Sequence, residues 1–277
     1  VWGRVGGGGG LPGRPRTAGV CLPCWGSVQV DHPAPGACPS CGEAACGTCP
    51  HRPPPWSWLI TALTYTAATR DLMVLYKFGP EGGRVRLAGP LARILAAAVR
   101  ARGAGRDVDL ITAVPSSRGR IGERGFDAAA ELARNLARNL GRGRPVRLLA
   151  RLDAAPPRAG RPARRVRPRE RAGPRFGLRR RAARRCAGRC VLLVDDVRTT
   201  GTTLRRCAGL LVAAGAARVQ VAVVARTPAP RPGSYTWKRS DRSSSICCLP
   251  DRSRATPQEE PCGQPARSAG WLPARPS

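Results

Sequence analysis

Residues 191–204 restrict the possible folds of this chain more than any other segment. Four consecutive apolar residues, of which Val191 and Val194 are β-branched, predict a strand buried on both faces of a parallel sheet. Two adjacent carboxylates, Asp195 and Asp196, follow this strand directly. Because open α/β sheets bind ligands at the carboxyl ends of their strands, we expect the acidic pair to face a ligand.

A candidate phosphate loop follows the acidic pair and leads into a predicted helix that ends near Gly215. Hydroxyl-bearing residues flank a glycine in this loop, which consists of Thr199, Thr200, Gly201, Thr202 and Thr203. Backbone N–H groups, hydroxyls and a helix N-terminus together attract a phosphate, and the two carboxylates can accept hydrogen bonds from the 2′ and 3′ hydroxyls of a ribose. The segment therefore predicts a ribose 5-phosphate site. The alternative is a strand, turn and helix in which the acids only cap the helix.

The same pattern of strand, polar turn and helix occurs upstream. A short apolar strand is predicted at 110–114 and a turn at 115–118, and the basic stretch after the turn opens a helix with an apolar face. With a last strand at 219–224, this alternation indicates a parallel sheet covered by helices. Since both turns would lie at one edge of the sheet, Arg118 and Arg124 are candidates to face a pyrophosphate. The alternative is that these arginines form a solvated surface.

Two more helices are predicted before these units. The first covers residues 71–79, ends at a glycine and carries Lys77, one of only two lysines in the chain. The second extends from about 87 to 102, with a slight break at Pro90. The isolated Lys77 stands out because nearly all other basic residues are arginines.

Cysteine spacing predicts a zinc site near the N-terminus. Of twelve cysteines, six form three Cys-x-x-Cys pairs, namely Cys21 and Cys24, Cys38 and Cys41, Cys46 and Cys49. Two such pairs can hold one tetrahedral zinc ion, and the last two pairs are the first choice because only a short turn separates them. The first pair would then belong to a second ribbon completed by His32, His51 or residues further upstream. In so small a unit, zinc is predicted to be structural.

The composition is strongly basic, with a net charge of +31. Clustered cations gain affinity for nucleic acids by releasing counterions, but a GC-rich coding sequence also raises arginine content without such selection. No apolar run reaches the length of a membrane span, and the first twenty residues lack a signal-peptide core. We therefore expect a cytoplasmic protein with no membrane insertion.

Several motifs together carry a resemblance to a known family. The cysteine pairs, Lys-Phe-Gly at 77–79, Glu-Arg-Gly-Phe at 123–126 and Asp-Asp-Val-Arg-Thr-Thr-Gly at 195–201 resemble the ComF family of competence-associated phosphoribosyltransferase-like proteins. The last motif is also similar to the diphosphoribose (PRPP) binding signature of type I phosphoribosyltransferases. The resemblance implies an α/β fold, a type I phosphoribosyltransferase-like parallel sheet flanked by helices and preceded by a small Cys-rich zinc ribbon. The expected organisation is a disordered extension at 1–19, the ribbon at 20–52, the phosphoribosyltransferase-like domain at 59–227 and a disordered tail at 228–277.

The resemblance also implies a function. It suggests a phosphoribosyltransferase that binds PRPP or a related ribose phosphate with Mg²⁺ and acts in DNA uptake, with single-stranded DNA and a helicase-like competence ATPase among its partners. The acidic pair and the threonine loop would bind PRPP, and the cationic groups around it would be Arg118, Arg124 and Lys77. The alternative is a non-catalytic, single-stranded-DNA-binding accessory protein that retains the fold.

Three features depart from the family's pattern. Asp127 stands where asparagine is usual, which places a negative charge near the expected pyrophosphate. The glutamine and the Arg-x-x-Asn motif usual between 156 and 180 are absent, and one upstream cysteine pair is not found. The arginine-rich residues in the 156–180 region predict a flexible loop, which is either a polyanion contact or a drifted segment.

Overall fold

The computed structural model describes most of the region that carries the motifs. Its described residues are 16–17, 20–32, 36–43, 46, 49–51, 53–79, 83–152 and 175–227. The predictions of disorder for most of 1–19 and for 228–277 lie outside these residues, as does most of the 156–180 region predicted to be a flexible loop. The end of that region is described, and its residues Arg175–Leu178 form a strand.

A four-stranded parallel sheet forms the centre of the fold, as the sequence predicts. The strands lie in the order β3 (Trp58–Thr64), β8 (Arg218–Arg226), β7 (Cys190–Arg198) and β4 (Leu110–Ala113). The central strand β7 pairs in parallel with β4 on one side and with β8 on the other. This position explains its continuous apolar run, because both of its faces are covered.

Helices cover both faces of the sheet. One face packs against α2 (Ala67–Phe78), α3 (Gly83–Ala101) and α5 (Ala128–Asn139), and includes Leu192 and Val194 of β7. The opposite face, with Val191 and Leu193, packs against α6 (Ala182–Cys186) and α7 (Thr202–Ala213). The alternation of β7 side chains between two cores is the period of two expected for a strand. No helix among the described residues combines the length and apolar character needed to cross a membrane.

Some elements differ from those predicted. The slight break at Pro90 is not found, because α3 continues through this residue as one helix from Gly83. The predicted helix after the 115–118 turn is two helices, α4 (Arg118–Arg124) and α5, because Gly125 ends α4 in the left-handed conformation at φ 76°. Strand β3 and the antiparallel hairpin of β5 (Leu149–Leu152) and β6 (Arg175–Leu178) were not expected from the sequence pattern.

The N-terminal segment lies along the outer edge of the sheet. After β1 (Arg16–Thr17), β2 (Val20–Cys21) and α1 (Leu22–Gly26), the chain forms an antiparallel bridge between Val30 and Leu63 of β3. The amide of Leu59 donates to the carbonyl of Pro39 at 2.8 Å, and Trp56 Nε1 donates to the carbonyl of Ser40 at 2.7 Å. Trp56 is therefore a buried packing residue.

Candidate functional site

The acidic pair and the threonine loop face one cleft at the carboxyl end of β7. This first cleft has a volume of about 560 Å³, and its lining includes Asp195, Asp196 and residues 199–203. Residues of α2, α4 and the turn after β4 complete the walls. The location is the edge at which parallel α/β sheets bind ligands.

Local geometry leaves the N-terminus of α7 open toward this cleft. Gly201 precedes the helix at φ 74° and has no side chain to cap it, and the amide of Thr202 donates to Thr200 Oγ1 at 3.4 Å. A Cβ at this position would lie 3.2 Å from Arg198 Nε, so glycine is favoured by both conformation and space. The hydroxyls of Thr200 and Thr202 lie 3.0 Å apart at the loop surface. A helix N-terminus that begins at a glycine and is surrounded by hydroxyls is suited to bind an anion.

The two acids have different surroundings. Asp196 forms an ion pair with Lys77, with Nζ 2.7 Å from Oδ2 and both side chains mostly buried. Lys77 thus reaches the cleft from the end of α2, where it contacts the carboxylate directly. Burial raises the pKa of the Asp195 carboxyl to about 8, and the negative charge of Asp196 adds to the rise. Below this pH the Asp195 carboxyl is mainly neutral in the ligand-free cleft.

Replacing Asp195 with asparagine is expected to stabilise the ligand-free protein, and more so at high pH. In the unfolded chain this carboxyl ionises near pH 3.8, whereas in the folded protein it stays protonated up to about pH 8. The free energy of unfolding therefore falls as the pH rises from 4 to 8. Each unit of difference between the folded and unfolded pKa corresponds to about 1.4 kcal/mol. Urea unfolding should show an Asp195→Asn gain that is larger at pH 8 than at pH 5 by about 1 kcal/mol or more. A gain that is the same at both pH values would contradict this picture, and Asp107→Asn, at an exposed acid, is the control.

Cationic side chains line the first cleft, but they are not all those expected. Arg124 lies in it, with its guanidinium 4.9 Å from the ring centre of Phe78. Arg118 instead lines a neighbouring cleft, and Arg120 takes a place beside Arg124. The spacing in α4 explains this difference, since residues four apart share a helix face and residues six apart do not.

Four further arginines line the first cleft and were not predicted as site residues, namely Arg70, Arg120, Arg151 and Arg198. For Arg70 a signal was available, because it lies seven residues before Lys77 and therefore on the same face of α2. Arg151 lies in the β5–β6 hairpin, which no sequence pattern indicated.

Asp127 does not line the first cleft. Its carboxylate caps α5 by accepting from the amide of Ala130 at 3.3 Å, and it also accepts from Ser116 Oγ at 3.0 Å. The negative charge is thus stabilised by the N-terminus of α5. It borders a second cleft of about 910 Å³, which adjoins the first and shares Pro115, Ser116 and Arg151 with it.

Four cysteines form a candidate metal site in the N-terminal segment. The sulfur atoms of Cys38, Cys41, Cys46 and Cys49 all lie within 4.8 Å of one another. The amide of Gly42, at φ 79°, donates to the carbonyl of Cys38 at 2.7 Å and closes the tight turn that a knuckle requires. Burial raises the pKa of Cys41 and raises that of Cys49 to about 11, so a cation is needed to stabilise four thiolates here. The geometry fits a tetrahedral zinc ion.

The first cysteine pair has a different location. Cys24 is buried in the core beside Val20, and no metal-binding cluster among the described residues includes it. The side chain of Cys21 is outside the described part. A second zinc site involving these two cysteines therefore stays a prediction.

Two arginines connect the four-cysteine cluster to the sheet. Arg226 of β8 lies 2.6 Å from Glu43 Oε1 and 3.5 Å from Asp31 Oδ2, and it donates to the carbonyl of Gly42 at 3.1 Å. Arg198, at the end of β7, donates to the carbonyl of Cys41 at 3.5 Å, and burial lowers its pKa. Because Arg198 directly precedes the threonine loop, the cysteine cluster and the first cleft share a structural support.

Comparisons with known proteins agree with this arrangement. A family model described as a phosphoribosyl transferase domain matches residues 120–246. The DNA utilization protein YhgH of Escherichia coli strain K12 is 32% identical over 218 residues, covering 76% of this chain and 91% of that protein. The protein of the same name from Salmonella typhimurium strain LT2 matches with the same identity and coverage.

Two solved structures give weaker matches. The allosteric regulatory enzyme of purine biosynthesis matches with a TM-score of 0.36 and 20% identity, covering 54% of this chain and 29% of that one. A purine phosphoribosyltransferase from Pyrococcus horikoshii matches with a TM-score of 0.27 and 16% identity, over 61% and 87% of the two chains. The curated relatives are similar over nearly their whole length, and with a phosphoribosyltransferase-type domain that follows a four-cysteine cluster, this chain belongs to the ComF family.

Proposed function

We propose that this chain binds PRPP or a related ribose 5-phosphate together with Mg²⁺ and transfers the phosphoribosyl group. The observation that carries the proposal is that Asp195, Asp196 and the 199–203 loop line a single cleft at the carboxyl edge of the sheet. An acidic pair alone or a threonine loop alone would not select a ribose phosphate. Together they match both its diol and its anionic end.

The ligand would lie along the end of β7. Its 5-phosphate would accept hydrogen bonds from the first-turn amides of α7 and from the threonine hydroxyls. Asp195 and Asp196 would accept from the ribose 2′ and 3′ hydroxyls. Arg120 and Arg124 from α4 would face the pyrophosphate, and the ion pair with Lys77 would hold Asp196 in place.

The proposed chemistry is displacement of pyrophosphate from C1 of the ribose through an oxocarbenium-like transition state. This reaction depends mainly on neutralising the leaving group, which the arginines of the cleft can do by electrostatic stabilisation. Bound Mg²⁺, for which Asp195 and Asp196 are the available carboxylates, would add to this neutralisation. Residues 59–227 contain no histidine, so proton transfer falls to a carboxylate or to the attacking nucleophile.

Calorimetric titration with PRPP and Mg²⁺ tests this proposal. The parent protein should bind, and the Asp195→Asn/Asp196→Asn variant should bind at least about a hundredfold more weakly, since hydrogen bonds to charged groups contribute roughly 1.5–3 kcal/mol each. Below pH 8, binding should also release protons, because the Asp195 carboxyl must lose its proton to accept hydrogen bonds from the ribose as a carboxylate. Asp107→Asn, an exposed acid before β4, is the control and should bind like the parent. The absence of binding by the parent protein would refute the proposal.

We also propose a role in handling DNA during natural competence, in the cytoplasm and with a helicase-like ATPase as partner. The name of the relatives, DNA utilization protein, and the net charge of +31 support this role. Within this role, the second candidate function is the binding of single-stranded DNA without turnover of PRPP. The two functions are separable, because strand binding that persists in the Asp195→Asn/Asp196→Asn variant cannot depend on the ribose-phosphate site.

A further inference from the structure

We propose that the second cleft is a binding site for the phosphate backbone of a single-stranded nucleic acid. This inference rests on the second function proposed above, to which it assigns a location, and it does not depend on PRPP binding. The cleft lies between α5, the connection at 141–148 and the β5–β6 hairpin. It is the larger of the two clefts described above.

The charge of this cleft is almost entirely positive. Among the lining residues that the structure describes there are eight arginines and a single acid, Asp127. That acid accepts hydrogen bonds from the Ala130 amide and from Ser116 Oγ, and it can offset only one of the eight positive charges. The arginines come from four separate parts of the fold, which are α4, α5, the 141–148 connection and the hairpin. A concave wall of cations is a site for a polyanion.

The wall is held in shape by backbone contacts. The side chain of Arg142 donates to the carbonyls of Gly105 and Arg106 at 2.9 and 2.8 Å, and Val146 N donates to the carbonyl of Ile111 at 2.8 Å. The 141–148 connection is therefore fixed to the sheet edge. A preformed site of this kind loses little entropy when it binds a ligand.

Three arginines have side chains that are available for a ligand. Arg144, Arg147 and Arg179 are exposed, and none of them has a side-chain hydrogen bond or ion pair with another described residue. By contrast, Arg134 is already paired with Glu131. A guanidinium group binds a phosphate through two parallel hydrogen bonds, so these three can each hold one phosphate.

The shape and the lining residues restrict the type of nucleic acid. A volume of about 910 Å³ is near the upper limit of small-ligand pockets and accommodates a few nucleotides of a single strand. No aromatic side chain is among the described lining residues. Sites that stack bases use aromatic rings, so this cleft should contact phosphates and tolerate any base.

Fluorescence anisotropy with a labelled oligothymidylate tests the assignment. The triple variant Arg144→Gln/Arg147→Gln/Arg179→Gln should bind roughly tenfold more weakly at 0.1 M salt, and its plot of log affinity against log salt should be shallower by about 2, since each lost phosphate contact removes about 0.7. The matched control Arg93→Gln/Arg184→Gln/Arg189→Gln removes the same charge from exposed arginines that line neither cleft. It should keep the parent's slope. Thermal melting of both variants checks that they fold.

Three outcomes would overturn the inference. Equal losses in the two triple variants would show that charge alone, and not this cleft, binds the strand. Failure of an abasic oligonucleotide of equal length to bind would contradict recognition through the backbone. Binding of inorganic polyphosphate but not of DNA would assign the cleft to another chain of phosphates. If the parent protein binds no DNA, the proposed DNA-handling function fails as well, whereas PRPP binding is tested independently.

Discussion

Removing zinc from the four-cysteine cluster with a chelator is expected to lower the melting temperature of the whole chain by about 10 °C or more. Structural zinc contributes roughly 10–16 kcal/mol in small peptides, and 1 kcal/mol corresponds to about 2–4 °C for a domain of this size. The segment around the cluster bonds to β3 through Pro39 and to Trp56 through Ser40, so its loss would expose core residues. Circular dichroism melting measures the change in melting temperature, and a colorimetric assay measures the zinc that the chelator releases.

Variants separate the metal effect from a simple loss of cysteine. The Cys38→Ser/Cys41→Ser variant should contain no zinc and should melt like the chelated parent. Cys190→Ala removes a buried cysteine outside the cluster and should retain zinc. A purified protein that contains no zinc and does not respond to the chelator would show that the cluster has no structural metal.

The second large effect is expected at Arg226. Its replacement by methionine leaves Asp31 and Glu43 without their cation, and breaking a buried ion pair on one side costs about 3–5 kcal/mol. Glu43 is more exposed than Asp31, so most of the cost should come from Asp31. The free energy of unfolding from urea titration measures the loss.

A charge-free variant is the informative control for this prediction. Asp31→Asn/Glu43→Gln/Arg226→Met removes all three charges and should recover most of the lost stability, because no unpaired buried charge is left. Arg226→Lys should recover only part, since lysine cannot reach two acids and the carbonyl of Gly42 with one planar group. If the single and the triple variant lose equal stability, the ion pairs are not the cause.

The features predicted correctly from the sequence depend on neighbours in the chain. The strand, acidic pair, threonine loop and helix at 191–213 are continuous, so each part predicts the next. Features that need distant partners were not predicted. In strand β3 the apolar residues are interrupted by Thr61, and the strand ends at Thr64. Strand β5 pairs with β6 across more than twenty residues of sequence. Such pairings are set by tertiary packing and not by local pattern.

The same division applies to the candidate site. The acids and the loop were found because they share one motif, and Arg124 belongs to a second motif. The ion pair between Lys77 and Asp196 joins residues more than a hundred positions apart, and only the fold brings them within 2.7 Å. Arg120 was missed because the turn and the helix after it were treated as one unit, which obscured the face that α4 turns toward the cleft.

Both edge strands of the central sheet form backbone contacts with other segments of the chain. On one side the Val30 bridge covers β3, and on the other the amide of Val146 takes up the carbonyl of Ile111 in β4. An unpaired strand margin is the usual template for adding a foreign strand. These contacts occupy part of each edge of the central sheet and therefore hinder the addition of a foreign strand there.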